Sequence, residues 1–113
     1  MIPMNGEEEN IVNKINYEER AKVYDEALVA FGMTTQLTVA IEELSECQKE
    51  ICKVLRGNAD ASHLAEEIAD ATIVLEQVRR IFGINAMVCQ AMDQKIERLQ
   101  GRIEDAKAGQ GRA

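Results

Sequence analysis

The chain has 113 residues, 46 % hydrophobic and 29 % charged, with a formal net charge of −7, enough for one domain with a modest core. Such acidity argues against a DNA or RNA polymer as partner, because phosphate contacts need clustered Lys and Arg; a single nucleotide carried in with a divalent cation stays compatible with it. Trp is absent, Pro occurs once, three cysteines show no Cys-x-x-Cys spacing, and no apolar run approaches membrane-spanning length; a cytoplasmic, reduced, helical protein away from membranes is expected.

Residues 1–15 are polar and acidic (Glu7, Glu8, Glu9) and are expected to form an N-terminal arm. Four helices are predicted over 16–107, an all-α region of antiparallel neighbours joined by short linkers, hence a four-helix bundle. The first runs from about Tyr17 to Phe31, with Asn16 as N-cap and Gly32 as stop. The second starts after Thr34 or Thr35 and ends at Arg56, before Gly57. The third begins near Asp60 or Ser62 and ends at Phe82, before Gly83. The fourth starts near Asn85 and fades near Lys107, leaving 108–113 as a disordered tail.

In the second helix Leu37, Ile41, Leu44, Ile51 and Leu55 form the apolar stripe expected to face the core. Glu43, Glu46 and Glu50 form another stripe which, taken alone, suits a solvated face. The third helix says more. At ~100° per residue, Leu64, Ile68, Ala71, Val74, Leu75, Val78, Ile81 and Phe82 make a broad apolar face. Glu67 falls inside it, between Val74 and Val78, and Asp70 falls at its edge; Glu66 and Glu76 point away as solvated acids. A carboxylate on an apolar face must be paired or bound to a cation. Two partners fit: Arg or Lys from another helix, or a metal ion.

Glu43 and Glu46 repeat the i, i+3 spacing of Glu67 and Asp70. Two antiparallel helices could aim these four carboxylates at one point, an all-oxygen cage suited to Mg²⁺ or Mn²⁺. His63, the one histidine, belongs to no Glu-x-x-His pair and reads as a first-turn residue of the third helix. Lys95, Arg98 and Arg102 line one edge of the fourth helix, beside the apolar residues Val88, Met92, Ile96, Leu99 and Ile103. They suit either simple solvation near a helix C-terminus or a grip on phosphate oxygens.

Glu42-Glu43-Leu44-Ser45-Glu46 fits Glu-Glu-x-x-Glu, and about 20 residues later Glu67-Ile68-Ala69-Asp70 fits Glu-x-x-Asp. Together with Gln36-Leu37 and the basic residues of the fourth helix, these motifs resemble the MazG-type nucleotide pyrophosphohydrolases of the all-α NTP pyrophosphatase superfamily, from about Phe31 to Arg102. The resemblance implies a MazG-like bundle that assembles into homodimers or homotetramers. It implies a Mg²⁺-dependent hydrolase (Mn²⁺ as substitute) that converts nucleoside triphosphates to monophosphates and pyrophosphate in nucleotide-pool house-cleaning. Glu43, Glu46, Glu67 and Asp70 would bind the metal, and Glu42 would orient or deprotonate the attacking water. Lys95 and Arg98 would steady phosphate. Gln36 would contact base or sugar, or stand exposed. Few aromatics argue against strong base selectivity by stacking. Two other readings stay open: a non-catalytic oligomerisation or regulatory module with salt-bridged acids, and a hydrolase of another pyrophosphate-linked substrate such as a phosphoribosyl nucleotide.

Overall fold

The computed structural model describes residues 12–110. They form four α-helices and, among the described residues, no strand: α1 (Tyr17–Phe31), α2 (Met33–Leu55), α3 (Ala61–Ile81) and α4 (Asn85–Gln110). The all-α expectation holds. Of the arm expected over 1–15, residues 12–15 are non-helical and 1–11 lie outside the described residues. The tail expected to be disordered from 108 is instead helical through Gln110, and 111–113 lie outside the described residues. A helix already nucleated adds one hydrogen bond per residue fixed, and one Gly at a cost of about 1 kcal/mol does not stop it.

The helix ends follow local chemistry. Asn16 Oδ1 accepts from the Glu19 backbone N–H at 2.9 Å, and Glu18 and Glu19 fill the first turn of α1. Asp60, rather than Ser62, caps α3: its Oδ1 accepts from the backbone N–H groups of Ser62 and His63. Helix α2 starts at Met33, before either threonine, because Gly32 serves both helices. Its N–H donates to Leu28 O at 2.9 Å and its carbonyl accepts from Gln36 N at 3.1 Å, at φ 84, which glycine adopts without strain. Gly57 closes α2 at φ 78, with the Asn58 N–H reaching back to Lys53 O and the Gly57 N–H to Val54 O.

The chain divides into two units between Phe82 and Gly83. In the first, α2 and α3 pack along each other and α1 lies against both. Its buried apolar residues are Ala21, Tyr24, Ala40, Ala71 and Val74. The small side chains of Ala40 and Ala71 let α2 and α3 approach closely. Two ion pairs tie α1 to α3. Arg20 donates to Glu76 Oε2 from Nε and Nη2, at 3.2 and 3.0 Å, and Arg80 grips both oxygens of Asp25 at 2.6 and 2.8 Å. Glu76 was expected to be solvated; it is half-buried and paired, because α1 crosses its side of α3.

The apolar stripe expected to face the core from α2 does not do so. Ile41 is 67 % exposed and Leu55 85 %, with Leu44 and Ile51 exposed as well, while Leu37 is half-buried. The buried residues of α2 are Gln36, Ala40 and Glu50. A helical wheel orders faces relative to each other but does not say which face meets the nearest neighbour, and here a polar and small-residue face does so. The second unit, α4, has no buried residue, and Met92, Ile96, Leu99 and Ile103 are exposed along it. Among the described residues no helix is long and apolar enough to cross a membrane.

Candidate metal centre in the α2–α3 seam

Three cross-helix pairs define the antiparallel register of α2 and α3. Gln77 Nε2 donates to Gln36 Oε1 at 2.8 Å. Glu43 lies with Asp70 and Glu67, one carboxylate oxygen of each within 4.8 Å of the others. His63 Nδ1 lies 3.0 Å from Glu50 Oε1. Successive members step by seven residues on both helices, two helical turns, so a polar column runs down the seam.

The middle of the column is the candidate metal centre. Glu67 and Glu43 are half-buried and Asp70 is exposed. The Oε2 atom of Glu67 is buried and has no hydrogen-bond partner, while its Oε1 lies 3.5 Å from His63 Nε2. Burial pushes the Glu43 carboxyl above its ordinary range, and the negative charges of Asp70 and Glu67 push it further. Among the described residues no Lys or Arg forms an ion pair with Glu43, Glu67 or Asp70. A group of carboxylates, one with an orphaned buried oxygen, is a hard-oxygen donor set that could hold a metal ion.

The other sequence-derived candidates fall in several places. Glu46 stands outside the trio; it is exposed, with Oε1 3.3 Å from Lys49 Nζ, although its charge still contributes to the shift on Glu43. Glu42 is exposed on α2. Gln36 is buried at 9 % exposure and holds Gln77, so the exposed alternative for this residue is corrected: the α2–α3 contact covers it. Lys95 and Arg98 are exposed on α4, in the second unit.

Three residues of the column escaped the sequence reading: Gln77, which holds Gln36, and the pair Glu50 and His63. Glu50, assigned to a solvated stripe, is 5 % exposed, and its Oε1 receives both Lys53 Nζ at 2.8 Å and His63 Nδ1. His63, read as an ordinary first-turn residue, reaches from Glu50 to Glu67. The signal was present as a seven-residue recurrence of polar residues: Gln36, Glu43 and Glu50 on α2, and His63, Asp70 and Gln77 on α3.

No protein-family model, curated protein or solved structure matches the chain.

Proposed function

We propose that the protein is a Mg²⁺-dependent nucleoside triphosphate pyrophosphohydrolase, converting (d)NTP and water to (d)NMP and pyrophosphate. The observation that carries the reading is the cluster of Glu43, Glu67 and Asp70, in which Oε2 of Glu67 is buried without a hydrogen-bond partner. An acid so placed, with no Lys or Arg partner among the described residues, is costly unless a cation completes it.

In this reading Glu43, Glu67 and Asp70 hold the cation, and Glu46 joins them on leaving Lys49. Mg²⁺ held there would supply positive charge against the triphosphate and make the attacking water easier to deprotonate. Glu42 orients the attacking water and takes its proton. Water adds to the α-phosphorus, the bond to the α–β bridging oxygen breaks, and pyrophosphate leaves. The buried amide of Gln36 is committed to Gln77, which argues against a direct role on base or sugar. House-cleaning of the nucleotide pool suits a chain with two Tyr, two Phe and no Trp for stacking a particular base.

The reading includes self-association into a homodimer or homotetramer. Supporting it are the large apolar side chains exposed on the first unit, Val29, Leu55 and Ile41 among them. Sedimentation equilibrium yielding only monomer at micromolar concentration would remove this part.

The deciding experiment measures pyrophosphate release from a panel of normal and damaged dNTPs with Mg²⁺ or Mn²⁺. Wild type is expected to release pyrophosphate, and Glu67→Gln to release none above background. If no dNTP is cleaved with either cation and Glu67→Gln raises stability, the acids are structural and the enzyme reading fails. Cleavage confined to a phosphoribosyl nucleotide moves the substrate class instead.

A further inference from the structure

The lower end of the polar column carries an arrangement that the proposed reaction does not use. His63 sits at the N-terminal end of α3, its backbone N–H held by the Asp60 cap. Its ring touches two acids on different helices: Nδ1 is 3.0 Å from Glu50 Oε1 on α2, and Nε2 is 3.5 Å from Glu67 Oε1, one turn further along α3. Glu50 is a fixed post, since its side chain is 6 % exposed and the same oxygen takes Lys53 Nζ at 2.8 Å. The two oxygens of Glu67 are thus in different situations. Oε1 faces the imidazole, and Oε2 is buried with no partner.

We propose that His63, anchored on Glu50, is a positioning residue for Glu67: it holds Oε1 and so fixes Oε2 toward the cation shared with Glu43 and Asp70. This rests on the metal reading above and goes beyond it by naming the groups that orient its central ligand. A glutamate has three side-chain torsions to restrain, and a carboxylate ligand held through its second oxygen loses little freedom when the cation arrives. Outer groups of this kind are worth ~10–100-fold in metal affinity. Donation to both acids at once takes an N–H on each ring nitrogen, which only the imidazolium has, and its two sides contribute separably. Its Nδ1 side serves the buried charge of Glu50, which is a matter of folding. Its Nε2 side serves Glu67, which is a matter of binding.

Amide side chains can separate the two. An Asn amide nitrogen approximates the place of Nδ1 and falls short of Glu67, whereas a Gln amide nitrogen approximates the place of Nε2. The experiment titrates Mn²⁺ into the intact protein and reads the free-ion EPR signal for wild type, His63→Asn and His63→Gln, with thermal melts of each metal-free protein. His63→Asn is expected to keep its fold and bind Mn²⁺ about 10-fold more weakly. His63→Gln is expected to recover an affinity near that of wild type, even if its melting temperature falls. Equal Mn²⁺ affinity in wild type and His63→Asn overturns the positioning role and leaves the metal reading standing, as do equal losses in the two variants. A wild-type protein that binds no Mn²⁺ overturns both. Should one variant fail to fold, the other still decides: folded His63→Asn with full affinity, or folded His63→Gln with the affinity lost, sinks the role.

Discussion

Glu43 of α2 and Asp70 of α3 face each other in the middle of the seam, and the charge of Asp70 raises the cost of ionising Glu43. Burial and this repulsion lift the Glu43 carboxyl above its ordinary range. The folded protein then holds a proton more tightly at this site than the unfolded chain does. Its stabilising contribution is full below the unfolded carboxylate pKa and is lost as pH rises through the raised folded value. Glu43→Gln, which cannot ionise, should therefore gain in melting temperature relative to wild type as pH is raised through that window without metal. Parallel curves for the two proteins from pH 4 to 8 would show that Glu43 does not feel its neighbours.

Divalent cation should reverse that trend. Mg²⁺ or Mn²⁺ binds the ionised folded form and stabilises it by mass action, by about 2.7 kcal/mol at 100 times Kd. A rise in melting temperature with cation is expected in wild type and is expected to vanish in Glu67→Gln. Differential scanning fluorimetry with and without EDTA is sufficient. Equal shifts in both proteins would place the cation elsewhere on this acidic chain.

The Gln36–Gln77 pair is a packing contact of the seam. Gln36→Ala leaves the amide of Gln77 without its partner and should cost about 1–3 kcal/mol of unfolding free energy. A double-mutant cycle with Gln77→Ala should show a coupling of at least ~0.5 kcal/mol, as contacting residues do. Additive losses in urea unfolding would mean that the hydrogen bond contributes nothing.

Asp25 carries the opposite pH sign to Glu43. The Arg80 guanidinium holds its carboxyl below the ordinary range, so the pair stabilises above the unfolded carboxylate pKa and is lost as pH falls through the lowered folded value. Arg80→Met should lower the melting temperature at pH 7, and the difference should shrink as pH falls through the lowered folded value, where Asp25 takes up its proton even beside Arg80. Because both side chains are exposed, 0.5 M salt should shrink the difference at pH 7.

The sequence by itself determined the helices and the acids. Asn16, Gly32, Gly57, Asp60 and Gly83 punctuate four periodic segments, and caps and glycines act within a few residues of themselves, so a linear reading finds them. It also found Glu67 and Asp70 out of place on an apolar face, since covalent spacing fixes where residues sit around one helix. The tertiary structure decided which faces meet. It turned Ile41 and Leu55 outward, buried Glu50, gave Glu76 to Arg20, and put His63 between Glu50 and Glu67. Those outcomes depend on the rotation and register of α2 against α3. Register is a choice among alignments that differ by a few side-chain contacts, which the periodicity of either helix alone does not contain. Once Gln36–Gln77, Glu43–Asp70 and Glu50–His63 are seen as one register, the acids of two separate motifs become a single centre.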